Sequence, residues 1–266
     1  MMTNDFKRNP VGMLRWQARN VVKYGLMGAA AWLLIEPLGL EWLRLPVMPI
    51  SIVGAGIGIF VSFRANQAYD RWWEGRKLWG RMINSSRHWS SQALRYLGDE
   101  DAALAERLVM RHVTYVHTLR TLLRGQDPFA DADFDRTVHE DDRDLKGSTN
   151  LTHALLDRQL RDVVAVQDAG RIDPHRLESM DRTLMDFLNI QGGCERIKGT
   201  PLPRGVGFIV ELLIDIFGVM LPFALVHEIG IVAIPMNMVV CLAFALISEA
   251  GRVLEDPFSL FFNGLP

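Results

Sequence analysis

Cysteine is scarce. Cys194 and Cys241 are the only two in 266 residues, too few for a disulfide framework. The sequence has no HExxH, no CxxC and no glycine-rich phosphate loop, the spacings by which metal and nucleotide chemistry announce themselves. Its seven histidines do not cluster; His112 and His117 are five apart and fall on different faces of a helix. Neither cysteine sits in a nucleophile motif, so both are expected to pack, and no catalytic set converges. An enzyme is not expected. Charge of one sign is missing too: the net charge is −2, which gives no reason to expect nucleic acid as a partner. The N-terminus lacks the apolar run and small-residue cleavage site of a secretory signal.

What the sequence does have is long uncharged runs, concealed by a mean hydropathy of only +0.09. Residues 45–63 are nineteen in a row without a charge and 229–248 are twenty, each enough to cross a hydrocarbon core as one helix. Residues 25–35 are also uncharged, and Val21 and Val22 extend that run to a usable span if Lys23 snorkels to the interface. Residues 207–226 form the fourth candidate, interrupted by Glu211 and Asp215. The expected fold is all-α, with four transmembrane helices and a large helical region outside the membrane.

Loop charge sets the expected orientation, because Lys and Arg accumulate on the cytoplasmic side. Lys7, Arg8, Arg15, Arg19 and Lys23 precede the first span against Asp5, and seven Lys or Arg residues from Arg64 to Arg95 follow the second. The short connections, 36–44 and 227–228, carry Glu36, Glu41 and Glu228 against Arg44. Both termini and the middle segment are therefore expected to be cytoplasmic, with Trp32 and Trp42 bracketing the first outer connection as an aromatic belt. The expected organisation is a cytoplasmic segment over 1–20, two spans over 21–63, a cytoplasmic helical region over 64–206, two spans over 207–248 and a cytoplasmic segment over 249–266. In the middle region, Leu104, Leu108, Tyr115, Leu119 and Leu122 recur at helical spacing, as do Leu151, Leu155, Leu156, Leu160, Val163 and Val164. Residues 125–150, rich in Asp, Glu and Gly, read as an acidic surface loop. Asp173 followed by Pro174 predicts a helix start, and 200–205, with Pro201 and Pro203, a helix end.

In the second span, Ser51, Ala55, Ile59 and Phe63 recur every four residues, beside a stripe of Gly54, Gly58 and Ser62. Small residues let helices approach closely, so the pattern reads either as a tight packing face, or as one packing stripe beside another that lines a narrow apolar pore. Glu211 and Asp215 stand one turn apart in the third span. Carboxylates at bilayer depth mark an ion path or are neutralised by Lys or Arg from a neighbouring helix.

The segment 62–81, SFRANQAYDRWWEGRKLWGR, resembles the bacterial bestrophins, as do PIS at 49–51, GGCERIKGTPLP at 192–203, LPFALV at 221–226 and LEDPF at 254–258. The resemblance implies a homopentameric ion channel of the bacterial inner membrane, with one central pore. It would pass small monovalent ions, chloride as in the family at large or sodium and potassium as in some bacterial members. It implies a neck of three apolar rings at Ala55, Ile59 and Phe63, with Ala55 smaller than the usual residue, and a cytoplasmic aperture at His175, a titratable ring where the family has an apolar one. Calcium-activated members hold calcium in an acidic run after the last span. Here only Glu255 and Asp256 precede Pro257, whereas calcium takes six to eight oxygens, and no cofactor is expected. The alternative is a membrane-anchored helical scaffold that binds a partner without conducting.

Overall fold

The computed structural model describes residues 17–260, 264 and 265. Most of the N-terminal segment read as cytoplasmic, residues 1–16, lies outside them. The described residues form helices and contain no strand. Eight α-helices run in order: α1 (Ala18–Ile35), α2 (Val47–Tyr96), α3 (Ala102–Leu123), α4 (Ala132–Thr137), α5 (Leu151–Asp168), α6 (Pro174–Gly199), α7 (Arg204–Ile229) and α8 (Ala233–Leu254). The described residues divide into two compact units, one of those up to 72 together with 201–256 and one of 73–200 with those after 256. At 50 residues and 1.5 Å per residue, α2 is about 75 Å long, more than twice the ~30 Å hydrocarbon core, and it contributes residues to both units.

The first unit holds the apolar segments. Two stretches, Glu41–Tyr96 and Gly205–Leu254, are long and apolar enough to cross a membrane. The second is interrupted at Gly230, whose positive φ of 56° ends α7 in a conformation that costs glycine little. The turn between the last two spans is therefore Gly230–Val232; His227 and Glu228, expected to form it, belong to the last helical turn of α7. Tyr24, Ile57, Val61, Ile214, Phe217 and Cys241 form the core of this unit. Two buried positions show how closely the helices meet. A Cβ at Gly28 would stand 3.0 Å from the Ile234 Cα, and one at Gly218 would stand 2.9 Å from the Tyr24 ring.

The second unit is a helical bundle around Trp89, Leu108, Tyr115 and Phe187, each fully buried. Asp173 caps α6, accepting from the amides of His175 and Arg176, with Pro174 in the first turn, and the helix ends at Gly199 before Pro201 and Pro203, as the sequence predicts. Residues 125–150 differ from the expected surface loop. They form short helical turns at Pro128–Ala130, Ala132–Thr137 and Glu140–Gly147, with Phe134 and Asp142 buried. The reason is a charge pair invisible in local composition: Asp142 accepts from the buried Arg111 guanidinium at 2.8 Å, and Arg111 also pairs with Asp162 at 2.7 Å. A buried arginine needs such partners, and they draw the acidic segment inward.

Candidate functional site

The two stripes of the second span separate on α2. Gly54 is buried, and a Cβ there would lie 2.8 Å from the Phe217 ring; at Gly58 it would lie 3.4 Å from Phe244. Those rings meet edge-on with centroids 5.8 Å apart, so the glycines admit an aromatic pair from α7 and α8, the close approach for which small residues serve. Ala55, Ile59 and Phe63 are all exposed, Ile59 at 61% and Phe63 at 62%. They line one open groove of about 540 Å³ together with Gly58, Ser62, Asn66 and Ile247. An apolar row left bare, beside a stripe of which Gly54 alone is buried, is a surface with a further use.

Glu211 and Asp215 are brought together, on the wall of a cavity of about 220 Å³ that Lys23, Tyr24 and Glu249 also line, but their surroundings differ. Asp215 pairs with Lys23 and accepts from the Tyr24 hydroxyl at 3.1 Å, so α1 neutralises it. Glu211 is exposed and makes no hydrogen bond or ion pair among the described residues. Lys23 is thus the ion-pair partner that spacing could not identify, being 192 positions from Asp215; the signal available was its place inside an otherwise apolar run.

His175 belongs to the second unit, exposed in the first turn of α6, with its amide held by Asp173 at 3.0 Å. The amides of Arg176 and His175 hold the Asp173 carboxyl below the ordinary carboxylate range. Cys194 and Cys241 are free and buried, and burial pushes the Cys194 thiol up to about 12, which suits packing rather than nucleophilic work.

At the acidic motif after α8, two arginines already occupy the oxygens. The Glu255 carbonyl accepts from Arg71 Nε at 2.7 Å, and its carboxylate faces Arg64 at 3.9 Å. A donor set shared with two guanidinium cations does not suit a divalent cation. Among the described residues, no three His, Cys, Asp or Glu side chains are grouped to hold a metal.

A family model described as bacterial/fungal bestrophin protein matches residues 18–266. A voltage-dependent anion channel-forming protein of Mesorhizobium japonicum is 32% identical over 219 residues, 82% of this chain and 70% of that protein. The voltage-dependent anion channel-forming protein YneE of Escherichia coli is 30% identical over 225 residues, covering 84% and 73%. Among solved structures, a bacterial bestrophin homologue from Klebsiella pneumoniae superposes with a TM-score of 0.85 at 29% identity, over 94% of this chain and 92% of that one.

Proposed function

We propose, from the premise that the chain belongs to the bacterial and fungal bestrophin family and is an ion channel, that its ions pass a neck built from Ala55, Ile59 and Phe63. The observation that carries this reading is the exposure of that apolar row along one groove, with the small residues Gly58 and Ser62 opening onto it and Gly54 behind it packed on Phe217. In a homopentamer five copies of α2 surround an axis. Bulky apolar side chains converging there exclude water and gate by dewetting, without charged groups. Ala55, with the smallest side chain, leaves the outer end widest, so Ile59 and Phe63 set the constriction.

The same assembly gives the other elements their places. Helices α1, the first half of α2, α7 and α8 span the bacterial inner membrane, with both termini and the second unit cytoplasmic. His175 rings the cytoplasmic aperture. Asp215 is held structurally by Lys23, and no calcium is required. The permeant species are small monovalent ions.

Purified protein in planar bilayers tests the reading. Unitary currents whose reversal potential follows a monovalent salt gradient are expected. Silence across salts and pH would leave a membrane-anchored scaffold as the better account.

A further inference from the structure

The neck row does not stop at Phe63. A residue seven positions on lies 700° around the helix, only 20° short of two full turns, and about 10 Å further along the axis. That residue is Asp70, and Asn66, on the rim of the same groove as Phe63, stands between them. Both are exposed. Asp70 makes no hydrogen bond or ion pair among the described residues, and helix geometry explains why. Its neighbours at i−4 and i−3 are Asn66 and Gln67, and those at i+3 and i+4 are Trp73 and Glu74, so no basic side chain is within intrahelical reach. The adjacent Arg71 turns to the Glu255 carbonyl at 2.7 Å. Three other acids of this unit are engaged, Asp215 by Lys23, Glu249 by Arg252 and Glu255 by Arg64; Glu211, which is unpaired among the described residues, stands on α7 and not on the neck row. Asp70 is thus an uncompensated charge on the face that carries the constriction.

We infer that Asp70 is a selectivity-determining residue, forming an anionic ring at the inner mouth of the neck, with Asn66 as the polar step between the apolar rings and the charge. The inference rests on the channel reading of the preceding section and deepens it by naming the ions favoured. Rings of carboxylates raise the local concentration of cations and oppose anions. An apolar neck has no such preference of its own, so the first fixed charge beyond it sets the sign. Because the ring is solvated, its effect is screened by salt. The Debye length is about 30 Å at 0.01 M and about 3 Å at 1 M, so the preference is strong in dilute salt and fades in concentrated salt.

The test is the reversal potential of the full chain in planar bilayers under a potassium chloride gradient, at low and high mean salt, for wild type, Asp70→Asn, Asp70→Glu and Asp70→Lys. Asp70→Asn should lower the cation-to-anion permeability ratio by about twofold or more in dilute salt, with the difference shrinking toward 1 M. Asp70→Lys should move it further the same way, and Asp70→Glu should stay on the wild-type side. A merely structural role would change yield or thermal stability without a salt-dependent shift in reversal potential. Wild type and Asp70→Asn that conduct with the same reversal potential in dilute salt would overturn the inference while leaving the channel reading intact. Absence of wild-type current would overturn both.

Discussion

Asn237 donates a hydrogen bond of 3.1 Å to the carbonyl of Gly218, the carbonyl that Pro222 leaves without its helical donor. Proline has no N–H, so the i to i+4 bond from position 222 back to 218 cannot form. The amide of Asn237, fully buried on α8, supplies that donor and reaches the Tyr24 carbonyl on α1 at 2.9 Å. One side chain thus repairs α7 and ties three helices together, in a setting where an unsatisfied backbone group is costly. Asn237→Leu should lower the stability of the detergent-solubilised protein by about 1–2 kcal/mol. In a Pro222→Ala background, where the helical N–H returns, the loss should be smaller. Equal losses in the two backgrounds, measured by thermal or denaturant unfolding, would separate Asn237 from the proline.

The paired and unpaired carboxylates of α7 should part experimentally. Asp215→Asn leaves Lys23 without its counter-charge and should reduce stability modestly, on the order of 1 kcal/mol because both groups are part-exposed; Lys23→Met combined with Asp215→Leu should recover much of it. Glu211→Gln, which breaks no pair, should leave unfolding temperature unchanged. A larger stability loss for Glu211→Gln than for Asp215→Asn would reverse this assignment.

His112 links stability to pH. It is buried, its ring lies 4.3 Å from Phe187, and its Nε2 is 2.8 Å from the Ser86 hydroxyl. Ser86 spends its own proton on the Met82 carbonyl at 2.7 Å, so Ser86 accepts from Nε2–H and Nδ1 is left bare, without a partner. Burial lowers the pKa from 6.5 to about 3. With the folded value depressed, the unfolded chain binds the extra proton. The contribution is intact above pH 6.5 and is lost as pH falls from 6.5 toward 3, by at most about 1.4 kcal/mol per pH unit. The free energy of unfolding measured from pH 7 down to pH 4 should fall more steeply for wild type than for His112→Gln; parallel profiles would remove His112 from the acid response.

His175 is tested through selectivity rather than stability. A fixed positive charge on the ion path opposes cations, so His175→Lys should shift the reversal potential toward anions relative to His175→Ala. The same reversal potential in both would take His175 off the ion path.

Much of this was legible in the sequence because it is periodic or local. The four-residue recurrence of Ala55, Ile59 and Phe63 and the parallel one of Gly54 and Gly58 are properties of one helix, and α2 exposes the first row, packs Gly54 and leaves Gly58 at the groove's edge. Asp173 and Pro174 mark the start of α6 by capping chemistry that acts within three residues. What was not legible depends on chain segments far apart. Composition makes residues 125–150 a solvated loop, and only the buried Arg111 on α3 explains why Asp142 turns inward. The choice between ion path and salt bridge for Asp215 was open until α1 brought Lys23 to it. Asp70 lies seven residues beyond Phe63, off the four-residue recurrence that marks the neck row, and an exposed acid on a helix has no distinguishing mark until its surroundings are known.

The neck itself is tested most directly by the unitary conductance of Ile59→Ala combined with Phe63→Ala, recorded beside wild type in planar bilayers. Two truncated rings should let water persist in the constriction, and the account predicts larger unitary currents with weaker gating in a variant that still assembles. Unitary conductance and gating indistinguishable from wild type would contradict it.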